Sequence, residues 1–275
     1  MASCWAEGMS RRQRQDFHNP HLIPELLLAP LSIKKPSIIL VNFMGDLGGD
    51  WVNPEAPVYQ LDGNELSVFS LTDRHGNKLF KLRDIIFRVI AARPEHTFIF
   101  LTKNPKGFIP WGNFPDNAWV GATVCNERMF KDACSIFIRV KAKHKWLSIE
   151  PLLESISNGV TVEPDPTQRR PDNKDNVKDI LYFLKDTGID FVVIGGQTRP
   201  TVMPKIEWVK EIVQAADKAG IKVWLKDNLW EMLTENDFTP AGSKDHDLYF
   251  AEMTQLRQER PIPRLTAADV QEVKA

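Results

Sequence analysis

Six apolar runs in this chain stop at polar or small residues, and those stops are where chemistry could sit. The first run ends in Asn42-Phe43-Met44-Gly45-Asp46 and the second in Thr102-Lys103-Asn104-Pro105. The third ends in Thr123-Val124-Cys125-Asn126-Glu127 and the fourth in Ser148-Ile149-Glu150-Pro151. The last two end in Gly195-Gly196-Gln197-Thr198 and Lys226-Asp227-Asn228. Glu150 can bind a ribose hydroxyl or an amine, or take a proton as a general base. Alternatively it forms a salt bridge with Lys103 or Lys226. Those lysines suit a carboxylate or phosphate, or stay solvated. Asp46 can contact a ligand or cap its own turn through backbone amides. Gly195 and Gly196 let backbone approach a ligand closely, and Arg199 has the fork that suits a carboxylate. The histidines show no metal-ligand spacing, and His96, just before a strand, reads as structural. Trp5, Trp51, Trp119, Trp146 and Trp208 read as core or rim packing.

The elements that must position these residues are short and regular. Ser37–Phe43, Thr97–Leu101, Trp119–Val124, Lys145–Ile149, Asp190–Ile194 and Lys222–Leu225 have the length and β-branched content of buried strands. Most are continuously apolar, as parallel strands covered on both faces are. Helical stripes lie between several of them: Leu79, Leu82, Ile86, Val89 and Ile90; then Met129, Phe130, Ala133, Ile136, Phe137 and Val140. Two more follow at Val177, Ile180, Leu181 and Leu184, and at Ile206, Val209, Ile212, Val213 and Ala216. This alternation predicts an α/β fold of βαβ units, an incomplete (β/α) barrel with mostly parallel strands. The strand carboxyl ends would form its active face. The connection between the second and third strands holds Pro105, Gly107, Pro110, Gly112 and Pro115, and predicts a loop or single turn. Residues 1–230 form the partial barrel, with a hairpin insertion at about 54–78. Residues 163–176 read as a solvated loop, and 231–275 as a helical extension and tail.

Composition narrows the functional classes. Hydrophobic residues at 43% and charged residues at 26% describe a globular chain. The formal net charge of -1 gives no electrostatic footprint for wholesale nucleic-acid binding. No apolar run is long enough to span a membrane, and the start lacks the pattern of a secretory signal. Three cysteines, Cys4, Cys125 and Cys134, do not make a disulfide framework, so a reducing cytoplasm is the expected compartment.

Seven ordered blocks carry a resemblance. They are Lys34-Lys35-Pro36, Val41 to Leu47, Pro94-Glu95-His96-Thr97, Leu101 to Pro105, Trp119-Val120-Gly121, Leu147 to Leu153 and Val193 to Gln197. Together they resemble the phage-protein family named after mycobacteriophage gene products thirty-seven and sixty-eight, over about residues 4–230. That resemblance implies a barrel of the radical S-adenosylmethionine type, with a cysteine motif holding a 4Fe-4S cluster. Cys4-Trp5-Ala6 would match the motif's last cysteine, making Cys4 the metal ligand, with Met1 where the preceding ligand would fall. Asp46, Thr123, Gly195, Gly196 and Gln197 would bind S-adenosylmethionine, and Glu150 and Lys103 would be catalytic. Gln197 departs from members with glutamate after the paired glycines. The chain would then be a truncated start of a longer reading frame, or a descendant without a cluster.

The expected activity is radical S-adenosylmethionine chemistry on an unknown substrate, with nucleotide or nucleic-acid modification one option. The alternative is a non-catalytic phage accessory protein that binds a small molecule or partner. A third option is an ordinary barrel hydrolase or isomerase using Glu150 with a lysine. An open strand edge at Ser37–Phe43 predicts a homodimer or poor solubility.

Overall fold

The computed structural model describes residues 24–42, 45–59, 79–157, 173–185, 187–198 and 200–229. Its main element is a six-stranded sheet, and all six expected strands are in it. They are β1 (Ile38–Val41), β4 (Thr97–Thr102), β5 (Ala118–Thr123), β6 (His144–Ile149), β7 (Ile189–Ile194) and β10 (Lys222–Leu225), in the order β1-β4-β5-β6-β7-β10. The pairs β1–β4, β6–β7 and β7–β10 are parallel. Ile38 lies opposite Thr97, Ile149 opposite Ile194 and Leu225 opposite Ile194. The fold is therefore a mixed α/β one with a mostly parallel sheet.

The chain divides into two compact units. The first comprises the described residues up to Val120 together with Val140–His144. Helix α1 (Pro24–Leu27) and a 3-10 turn at Ala29–Ser32 precede β1. Strands β2 (Pro57–Tyr59) and β3 (Leu79–Lys81) pair antiparallel. The hairpin expected within about 54–78, with its alternating run at Leu66–Leu71, lies mostly outside the described residues. Helix α2 (Leu82–Ala91) buries Leu82, Ile86, Val89 and Ile90 of the expected stripe, and Ile85 beside them. Leu79 belongs to β3 instead. After β4 the chain forms a seven-residue 3-10 helix, Pro105–Trp111, rather than a loop or single turn. Prolines and glycines mask it in the sequence. Phe108 and Trp111 anchor it by packing edge-on to Phe100.

The second unit comprises Gly121–Arg139 and the described residues from Lys145 onward. Helix α3 (Glu127–Phe137) starts at Asn126, whose side chain accepts a 2.9 Å hydrogen bond from the Met129 amide. Helix α4 (Asn173–Leu184) begins inside the stretch expected to be a loop. Its first turn is wholly polar, so the apolar stripe becomes visible only at Val177. Strands β8 (Gln197–Thr198) and β9 (Thr201–Val202) form a small antiparallel pair. Helix α5 (Ile206–Ala219) ends at Gly220, whose left-handed φ of 72° is a conformation glycine adopts without strain. The core is built from Leu147, Ile149, Val192, Ile194, Val223 and Leu225 beneath α4 and α5, whose Ile180, Val209, Ile212 and Val213 are buried. Trp146 is buried here, and Trp119 is buried in the first unit, both as packing residues. No helix among the described residues is long and apolar enough to cross a membrane.

Candidate functional site

In the second unit, the carboxyl ends of β6, β7 and β10 meet in a network of backbone hydrogen bonds. Gly195 donates to the Ile149 carbonyl at 3.1 Å, and Lys226 donates to that of Ile194 at 2.9 Å. Leu152 in turn donates to the Gly195 carbonyl at 3.0 Å. On this frame the Lys226 ammonium donates to Glu150 Oε1 at 2.6 Å. Both side chains are partly solvent-exposed. Of the two lysines considered for Glu150, Lys226 is thus the one that pairs with it.

Gly195 lets the pair lie close against the backbone. A Cβ there would lie 3.0 Å from Lys226 Cδ and 3.1 Å from Glu150 Cδ, so the two side chains lie directly over its backbone. Asn228 fixes the next peptide on both sides. Its Nδ2 donates to the Gly196 carbonyl at 2.8 Å, and its Oδ1 accepts from the Gly196 amide at 3.3 Å. In the sequence Asn228 is only one residue of a polar strand ending. The signal for it is its place two residues after Lys226, on the turn Asp227–Leu229.

Thr123 is buried at the end of β5. Gln197 uses its side-chain amide to donate to the Pro200 carbonyl at 2.9 Å, within the β8–β9 turn. Arg199 lies outside the described residues. Cys125 is half-buried, with Sγ 3.9 Å from the Glu150 carbonyl oxygen.

Asp46 and Lys103 belong to the first unit. Asp46 Oδ1 accepts from the Gly48 amide and Oδ2 from the Lys103 amide, each at 2.9 Å. Both carboxylate oxygens therefore engage backbone, the capping alternative for this residue. Asn104 Nδ2 ties the same loop through the Gly48 carbonyl at 2.7 Å and Asp50 Oδ1 at 2.9 Å. Lys103 contributes its amide to the cap and exposes its side chain. His96 is buried: Nδ1 accepts from the Ser37 amide at 3.2 Å, so Nε2 carries the proton and donates to the Ile33 carbonyl at 3.1 Å. The structural reading of this histidine holds.

A cluster of the kind the resemblance implied needs thiolates. Cys4 lies outside the described residues. Cys134 is buried in α3, where desolvation pushes its thiol up to about 12, against thiolate formation. Cys125 and Cys134 thus do not fit a shared cluster. Among the described residues, no three His, Cys, Asp or Glu side chains are grouped to hold a metal ion.

Residues 2–254 match the family model described as Protein of unknown function (DUF5131). The chain belongs to the DUF5131 family. That match overturns the attribution to the mycobacteriophage family, because nothing in it links the chain to those gene products or to radical S-adenosylmethionine families. The seven blocks are therefore sequence features of a DUF5131 protein. No curated protein and no solved structure matches the chain.

Proposed function

We propose that the second unit of this DUF5131 protein binds a small polar molecule at its strand ends. In this reading Glu150 and Lys226 carry out proton-transfer chemistry there, as in a hydrolase or isomerase. The observation that carries the reading is the 2.6 Å ion pair laid over Gly195. A half-exposed ion pair stabilises a fold by only about 0–1 kcal/mol. Stability alone therefore gives little reason for a side-chain-free Gly195 beneath the pair and an Asn228 clamp beside it. A ligand-binding role accounts for both. The Glu150 carboxylate would take a proton from the bound molecule, and the Lys226 ammonium would stabilise the negative charge that develops.

The strand order favours an incomplete (β/α) barrel as the scaffold. Strands join the sheet in chain order, whereas a doubly wound sheet reverses direction at a switch point. In a barrel, catalytic groups come from strand carboxyl ends, where Glu150 and Lys226 stand. The radical chemistry and its S-adenosylmethionine rested on the resemblance alone and form no part of this proposal.

The test is incubation in deuterium oxide with a panel of small carbonyl compounds and sugar phosphates, followed by proton NMR. Deuterium appearing beside a carbonyl with the wild type, and at least about a hundredfold more slowly with Glu150→Gln, is the expected result. Binding without exchange, seen as shifted ligand resonances, would make the site a receptor and end the catalytic part. Neither binding nor exchange across the panel would count against the whole proposal.

A further inference from the structure

Two buried hydroxyls lie on the sheet face that carries the Glu150–Lys226 pair. Ser148 precedes Glu150 by two residues at the end of β6, so both project from the same face. The Val124 amide donates to the Ser148 carbonyl at 2.8 Å, and the Trp146 indole lies over Gly121. That offset sets Thr123 of β5 beside Ser148. Ser148 is 6% exposed and Thr123 9%, and among the described residues neither hydroxyl has a hydrogen-bond partner. Folded proteins leave few buried polar side chains unpaired, so two neighbouring ones call for a partner from outside the fold. Ser148 lies opposite Val193, and Val193 opposite Trp224. Val193 and Trp224 are only half-buried, so solvent reaches this row.

The chemistry of the row selects the ligand. Each hydroxyl can donate and accept a hydrogen bond, as the hydroxyls of a sugar do. The Trp224 indole offers an apolar surface to the C–H groups of such a molecule. An anion is less well suited. Lys226 is already paired with Glu150 at 2.6 Å, and Lys222 stands at the other end of β10. Lys205, on the loop before α5, stands over the Trp208 ring at 5.4 Å. Glu154 and Asp227, exposed after β6 and β10, add negative charge. Resting on the proton-transfer reading of Glu150 and Lys226, we infer that Thr123 and Ser148 bind the hydroxyl groups of the same substrate. That substrate is a neutral hydroxylated aldehyde or ketone, a short free sugar rather than a sugar phosphate.

Titration of the full chain with erythrulose, 2-butanone and erythrulose 4-phosphate, followed by NMR, tests this. Saturable binding of erythrulose is expected, at least about tenfold tighter than that of the other two, about 1.4 kcal/mol per tenfold. The Thr123→Val/Ser148→Ala double variant should lose the preference for erythrulose over butanone. Its urea midpoint should not fall, because no hydrogen bond within the protein is removed. Tyr182→Ser, altered at an exposed residue of α4, should bind erythrulose as the wild type does. A lower midpoint in the double variant would make the hydroxyls structural and overturn the inference. So would no binding of erythrulose, or tighter binding of its phosphate. Butanone bound as tightly as erythrulose, with deuterium exchange that Glu150→Gln abolishes, would overturn this inference and keep the proton-transfer reading. Erythrulose binding that depends on both hydroxyls, without exchange, would keep the sugar as ligand and end the catalytic part of that reading.

Discussion

Lys145 shows how much structure one buried charge can organise. Its ammonium donates to the Phe137 carbonyl at 2.6 Å, at the end of α3, and to the Thr187 carbonyl at 3.1 Å, just before β7. A cation suits the carboxyl end of a helix, where the unpaired carbonyls concentrate negative charge. Desolvation nevertheless lowers its pKa from the ordinary lysine value of 10.5. Burial of the charge therefore costs stability at every pH below the lowered folded value, where both states are protonated. As pH rises towards 10.5, the folded state releases its proton first and the cost disappears. Lys145→Met removes the titration and leaves two carbonyls without their donor, a loss of about 1–3 kcal/mol near neutral pH. Urea unfolding of both proteins between neutral and alkaline pH measures the difference. The wild type's advantage should widen as pH rises. A narrowing advantage would contradict the assignment.

At the scale of elements, local signals decide where helices begin and end. The Asn126 cap on α3 satisfies an amide that the helix itself leaves unpaired. Asn126→Ala should destabilise the chain by about 1 kcal/mol, read as a lower urea midpoint with unchanged slope. Asn126→Ser should recover most of the loss, and equal loss in both variants would refute the capping role. Such signals also explain what the sequence disclosed. The six strands were legible because short apolar runs rich in β-branched residues have few alternatives, even in β1, whose Ile38 and Leu40 are exposed. The stripes of α2, α3 and α5 were legible because every turn contributes an apolar residue. The start of α4 was hidden, since Asn173-Lys174-Asp175-Asn176 reads as solvated loop whether or not it is helical. The helix at Pro105–Trp111 was hidden because proline and glycine normally end helices, while Phe108 and Trp111 hold this one by tertiary packing. The site was legible only in part. Glu150 and the paired glycines stood out as residue types, but the choice of Lys226, 76 positions away, is made by the pairing of β7 with both β6 and β10.

At the scale of the whole molecule, solubility and association depend on surface charge and on how the sheet ends. Lysine and arginine number 35 against 36 aspartate and glutamate, so little net repulsion keeps copies apart. Among the described residues, strand β1 stands at one end of the strand order, paired through one edge with β4. Ile38 and Leu40, on one face of it, are 59% and 55% exposed. Natural edge strands are commonly protected by lysine, proline, a bulge or short length. β1 is short, four residues, but carries no charge within Ile38–Val41. Two copies meeting edge to edge about a two-fold axis would pair β1 antiparallel, each supplying the same residues. So few hydrogen bonds support only weak, reversible dimerisation. Sedimentation velocity over a wide concentration range should show the average mass rising with concentration. Ile38→Lys, which places a charge on the edge strand, should keep the chain monomeric over that range. A wild type that stays monomeric throughout would mean this edge does not associate. A variant that dimerises as strongly as the wild type would place the contact on another surface.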